Sequence, residues 1–146
     1  TLAPNIGRVF VSEEESFTVA DIPGLIEGAH LGHGLGIRFL RHLARTRLLV
    51  YVIDVSGKPD DAFAAVQGEI GAFDPVLLER PALIALNKID LVSRDDADAA
   101  ARALGEKTGL KVFAISAEKR TGLKPLIAEL ARRLSAIDRQ GAECRN

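Results

Sequence analysis

Ala82-Leu83-Ile84-Ala85-Leu86-Asn87-Lys88-Ile89-Asp90 is the stretch whose reading decides the fold. Five apolar residues in a row, with no polar alternation, describe a short strand buried on both faces, as in a parallel sheet. Polar chemistry then begins where the strand stops, at the carboxyl rim where open α/β sheets bind ligands. The Asp90 carboxylate has two acceptor oxygens and no donor. Guanine offers two adjacent donors, its ring N1–H and its exocyclic amine, and so matches Asp90 in bidentate fashion. Adenine has an acceptor where guanine has a donor and would leave the carboxylate unpaired. Asn87 can bond another edge of the base or tie neighbouring loops together, and the Lys88 stem can cover the ring face. N-K-x-D turns up by composition in about one chain in fifty of this length, so its place behind a hydrophobic strand matters.

Working outward, Asp21-Ile22-Pro23-Gly24 follows the alternating segment Phe17-Thr18-Val19-Ala20, again at the end of a strand. D-x-x-G is a weak motif, and a second copy stands at Asp54-Val55-Ser56-Gly57. The first copy is preferred because a glycine-rich run follows it, and because a further strand and helix separate it from Asn87. In that role Asp21 acts on Mg²⁺, through water, and the Gly24 amide reaches a γ-phosphate. A third element, Ser116-Ala117-Glu118, ends the apolar run 111–115 and can present a backbone amide to the guanine carbonyl.

The remaining elements alternate. Residues 8–12 and 17–21 read as paired antiparallel strands around the turn Glu13-Glu14-Glu15. Segments 48–54, 82–87 and 111–115 read as buried strands. Helices are expected over 36–45, 60–73, 94–108 (with Ser93 as N-cap) and 122–136. Residues 138–146 read as a frayed tail or the start of a linker, leaving 1–137 as one partial domain.

Taken in order, these residues resemble a GTPase domain, and the intervening stretch resembles one family in particular. Ile22-Pro23-Gly24-Leu25-Ile26-Glu27-Gly28-Ala29, Gly32-His33-Gly34-Leu35-Gly36, Phe39-Leu40-Arg41-His42 and Arg45-Thr46-Arg47 are similar to the second switch of the Obg/CgtA family. Those are bacterial, cytoplasmic GTPases that act in assembly of the large ribosomal subunit; the Drg and HflX branches share parts of the string. The opening 1–7 resembles the end of that family's first switch, with Thr1 at or beside the threonine that ligates Mg²⁺ and senses γ-phosphate. The resemblance implies a three-layer α/β sandwich of the P-loop NTPase, small-GTPase type. It also implies GTP or GDP as ligand, Mg²⁺ as cofactor and, as partners, the large ribosomal subunit or its precursor, with its rRNA and proteins. Catalytic roles fall on Thr1 and Gly24, nucleotide contacts on Asp21, Ile22, Pro23, Gly24, Asn87, Lys88, Asp90, Ser116, Ala117 and Glu118, and metal contacts on Thr1 and Asp21. Two other classes stay open: a sensor of GDP or an alarmone, and a non-hydrolysing interaction module.

No G-x-x-x-x-G-K-[ST] loop occurs in these 146 residues. That loop supplies amides, a lysine and a Mg²⁺ ligand around the phosphates, and by the family pattern it belongs upstream of Thr1 with the first strand and first helix. Its strand would lie between those at 17–21 and 48–54, so the isolated chain is expected to be unstable, rearranged or completed by another polypeptide. Position 25, where many GTPases carry a water-orienting glutamine, is leucine, which cannot orient water by hydrogen bonding.

Composition excludes several classes. At 47% hydrophobic the chain supports one core, and a net charge of −1 gives no general pull toward DNA or anionic membranes. One cysteine, Cys144, cannot form an internal disulfide, and no apolar run reaches membrane-spanning length. His30, His33 and His42 lack partners at metal-ligand spacing. Arg38, Arg41, His42 and Arg45 share one helical face. Such a face is ordinarily solvated, and the family resemblance makes it a candidate contact for RNA or ribosomal protein.

Overall fold

A computed structural model describes residues 6–21 and 45–143, with side chains to residue 140. Thr1, Ile22, Pro23, Gly24, Leu25, the helix expected over 36–45 except its last residue, Arg45, with Arg38 and Arg41 of its arginine face, the three histidines and Cys144 lie outside the described residues; Arg45 is helical and exposed.

The described elements are β1 (Ile6–Phe10), β2 (Ser16–Ala20), β3 (Leu49–Asp54), α1 (Pro59–Phe73), β4 (Ala82–Asn87), α2 (Arg94–Thr108), β5 (Val112–Ala114) and α3 (Leu123–Glu143), with 3-10 turns at Pro75–Glu79 and Ile89–Leu91. β1 and β2 form an antiparallel hairpin, with Arg8 opposite Thr18. β3, β4 and β5 form a parallel sheet in that order, and within the described residues β2 and β3 do not pair with each other.

The sheet sits between two helical layers. Leu49, Tyr51, Ile53, Ile84 and Leu86 are buried with Phe63 and Ile70 of α1 and Leu104 of α2. On the opposite face Leu83, Ala85 and Ile115 are buried with Leu126 and Leu130 of α3, and Phe17 of β2 packs against that cluster. β4 is the central strand, buried at Ala82–Leu86, which accounts for its unbroken apolar run. β3 differs. Its alternate residues Val50 and Val52 are 36% and 62% exposed, so one face of this strand is uncovered among the described residues.

Local chemistry sets the element ends. Ser93 Oγ accepts from the Asp96 N–H to start α2, and Gly109 at φ 73° closes it from the left-handed region. Pro59 opens α1 at its first position, where its missing N–H costs nothing, and Asp60 and Asp61 favour the positive end of the helix.

β2, β3, α1 and the start of α3 fall within one residue of their expected bounds, and the differences at β1, β5 and the end of α3 have local causes. β1 is displaced two residues toward the amino end because Val11 and Ser12 join the turn, their N–H groups both donating to the Glu15 carbonyl. β5 is trimmed by one residue at each end. α3 continues past residue 136 to Glu143, so 138–143 is helical rather than a frayed tail. No proline interrupts it there, and Asp138 forms an ion pair with Arg47 that anchors the added turn.

Candidate nucleotide-binding site

The carboxyl ends of β4 and β5 and the turns after them bring together five of the residues singled out from sequence. Past Asn87 the chain bends at Lys88, whose φ of 67° and ψ of 33° lie in the left-handed region. For a side-chain-bearing residue that conformation costs about 1–2 kcal/mol. It swings the backbone into the Ile89–Leu91 turn and sets Asp90 against the end of β5. The Ile89 N–H donates to the Ile115 carbonyl at 3.2 Å, fixing the two turns to each other.

Two side-chain bonds complete the junction. Asn87 Oδ1 accepts from the Ala117 N–H at 3.0 Å. That contact orients the amide, because a donor must face the oxygen, and Nδ2 is the amide's remaining donor. Ser116 Oγ–H donates to Asp90 Oδ1 at 2.7 Å, and the same hydroxyl accepts the Lys119 N–H at 3.1 Å. Ser116 is 1% exposed, whereas Asp90 and Ala117 are exposed. A buried hydroxyl thus holds one oxygen of an exposed carboxylate.

The tight loop after β5 depends on one glycine. Ser116 and Thr121 exchange backbone hydrogen bonds at 3.0 Å each. Gly122, at φ 74°, then passes so close to β5 that an added Cβ would sit 2.4 Å from the Ala114 carbonyl oxygen. Only glycine tolerates both the backbone angle and that approach.

Of the backbone amides in the Ser116-Ala117-Glu118 element, Ser116 N–H donates to the Thr121 carbonyl and Ala117 N–H to Asn87 Oδ1. Of Asn87's two weighed uses, tying the loops together is the one observed.

Asp21 directly follows β2 and is exposed. Among the described residues no cluster of three or more His, Cys, Asp or Glu side chains could hold a metal. A lone exposed carboxylate nonetheless fits Mg²⁺, which keeps several waters and takes few protein ligands. The second D-x-x-G copy is engaged otherwise. Asp54 Oδ1 accepts from both the backbone and the hydroxyl of Ser56, at 2.8 and 2.6 Å, and Oδ2 lies 3.0 Å from Lys88 Nζ. These contacts, the Ser56 hydroxyl foremost, hold the Asp54 carboxyl down to about 2.

Sequence reasoning passed over two further clamps. Arg80 Nη1 donates to the carbonyl and, at 2.6 Å, the hydroxyl of Thr46, holding the chain as it enters β3. Glu129 receives Arg132, Arg133 and Lys111, and Arg133 also reaches the Ala82 carbonyl at 3.2 Å. Only the i,i+3 and i,i+4 spacing of Glu129 with Arg132 and Arg133 was a usable signal.

A parallel sheet between helical layers, with polar side chains gathered at its carboxyl rim, is an α/β arrangement of the small-GTPase type. Solved structures agree on the fold: Era, crystallised with MgGDPNP and a segment of 16S ribosomal RNA, aligns with a TM-score of 0.69 at 20% identity over 90% of this chain and 44% of Era. The FeoB G-domain of Methanococcus jannaschii gives 0.56 at 21% identity over 86% of this chain and 76% of that one.

The model of the 50S ribosome-binding GTPase family matches residues 1–88, and the chain belongs to that family. Its relatives include proteins named GTPase Obg: 51% identical in Desulforudis audaxviator over 94% of this chain, and 50% identical in Deinococcus radiodurans over 86%. The chain spans 33% and 30% of the length of those two relatives.

Proposed function

We propose that this chain carries the guanine-recognition end of an Obg-type GTPase, a switch that binds and hydrolyses GTP during assembly of the large ribosomal subunit in the cytoplasm. The observation that carries the reading is the pair of bonds joining Asn87 to Ala117 and Asp90 to Ser116. They leave an amide donor and a carboxylate acceptor side by side at the sheet's rim. A guanine base meets that set with its own donors and acceptors. The Obg names of the relatives and the family's description as ribosome-binding support the activity and the partner.

In this reading Asp90 grips the N1–H and exocyclic amine, Asn87 Nδ2 donates to the opposite edge, and the Ser116–Glu118 turn borders the carbonyl. Asp21 is the residue that would hold Mg²⁺ through water, with Thr1 as its companion, and Ile22, Pro23 and Gly24 would approach the γ-phosphate. Bound Mg²⁺ would neutralise phosphate charge. Leu25 supplies no hydrogen bond to an attacking water, so turnover depends on backbone groups, an added cation or a partner.

Titration of the natural full-length polypeptide with GTP, GDP and ATP tests the reading, with single-turnover hydrolysis measured alongside. Tight guanine nucleotide binding, slow hydrolysis alone and acceleration by ribosomes or potassium are expected. Equal affinity for ATP, or fast hydrolysis with no activator, would overturn it.

A further inference from the structure

Asp54 closes β3 directly opposite Asn87 in the β3–β4 register, which puts a second carboxylate on the rim one strand away from Asp90. It is a fixed group. Ser56 grips one oxygen through two hydrogen bonds, and the other oxygen faces Lys88 Nζ at 3.0 Å. Lys88 in turn leaves the backbone between Asn87 and Asp90, from a left-handed residue that ends β4. With its base just past β4 and its ammonium at the end of β3, the lysine stem is drawn across the rim beside the guanine-type acceptors. A lysine otherwise samples many rotamers, and a side chain held in its bound conformation before the ligand arrives favours binding.

We propose that Asp54 is a positioning residue for the guanine site: by holding the Lys88 ammonium at the end of β3, it keeps the lysine methylenes stretched as an apolar shelf for the purine and ribose. This rests on the guanine-nucleotide reading above. The ligand class is a guanine nucleoside di- or triphosphate, with equal benefit to both, because the shelf lies on the base side. The second D-x-x-G copy thereby has a use of its own, distinct from that of Asp21.

A double-mutant cycle in the natural full-length protein tests it, reading the Kd of methylanthraniloyl-GDP and of unlabelled GTP by competition. Asp54→Ala is expected to weaken both nucleotides about fivefold at low ionic strength, the upper range for a half-exposed ion pair. The deficit should shrink as salt is raised to about 0.5 M. In a Lys88→Ala background Asp54→Ala should cost nothing more, and Asp54→Glu should recover part of the loss. A loss of the same size in both backgrounds, or none in either, would overturn the proposal. Urea midpoints report folding of each variant. Should Asp54→Ala not fold, Asp54→Asn takes its place in the cycle, since it keeps an acceptor for Ser56 and removes only the charge. A wild-type protein without preference for GDP over ADP would overturn the guanine reading itself, and this proposal with it. Guanine preference combined with an additive cycle would overturn the Asp54 assignment alone.

Discussion

The Asn87 side-chain oxygen and the Ala117 backbone N–H lie 3.0 Å apart although 30 residues separate them in sequence. This bond couples the end of β4 to the loop that follows β5. Removing the Asn87 amide therefore has two consequences. Asn87→Ala is expected to lower stability by about 1 kcal/mol, the usual worth of one such hydrogen bond, read as a shift in urea midpoint. It should also weaken GDP binding by more than the lost contact alone, because the Ser116–Glu118 turn is released. Unchanged GDP affinity in a folded variant would remove Asn87 from the site.

Gly122 is where the loop after β5 tolerates least change. A methyl group there meets the Ala114 carbonyl oxygen at 2.4 Å, and φ of 74° disfavours any side chain. Gly122→Ala is expected to destabilise by at least about 2 kcal/mol, measured by denaturant unfolding. It should also disturb the Ser116–Asp90 bond. A neutral result would show that the loop relaxes freely.

Glu129, like Asp54, supplies an acid-sensitive part of the fold. Hydrogen bonds from Arg132 and then Arg133 hold its carboxyl down to about 2, from an ordinary 4.5. A carboxyl depressed in the folded state contributes stability above its unfolded value and loses it as pH falls through the folded one. The contribution is thus complete above about pH 4.5 and fades between there and about pH 2. Glu129→Gln should flatten that limb of the stability–pH curve while leaving its slope near neutrality unchanged. An identical acid limb in the variant would contradict the assignment.

What was legible in the sequence was local. β4 and α2 match their expected bounds residue for residue, because continuous burial writes an unbroken apolar run and because Ser93 and Gly109 mark the helix ends by their own hydrogen bonding and backbone angle. Asn87, Lys88, Asp90 and Ser116 were identifiable because chemistry placed after a strand implies the sheet's rim. The contacts among them were less legible. Nothing in the sequence states that Asn87 accepts from Ala117 or that Lys88 reaches Asp54, since both depend on strand order across β3, β4 and β5. The length of α3 was misjudged for a related reason: Asp138 looks like a polar tail until Arg47, 91 positions earlier by the numbering, is seen beside it.

Asp90 is the proposed reader of the purine, and exchanging acceptor for donor at its carboxylate tests that role most directly. Affinities of the full-length protein and of its Asp90→Asn variant would be measured for GDP, ADP and xanthosine diphosphate. Wild type should prefer GDP over ADP by about a thousandfold or more, as hydrogen-bonded sites discriminate. Asp90→Asn should lose GDP and gain xanthosine diphosphate, whose second carbonyl replaces the guanine amine. Retained GDP affinity in the variant, with no gain for xanthosine diphosphate, would contradict the central claim.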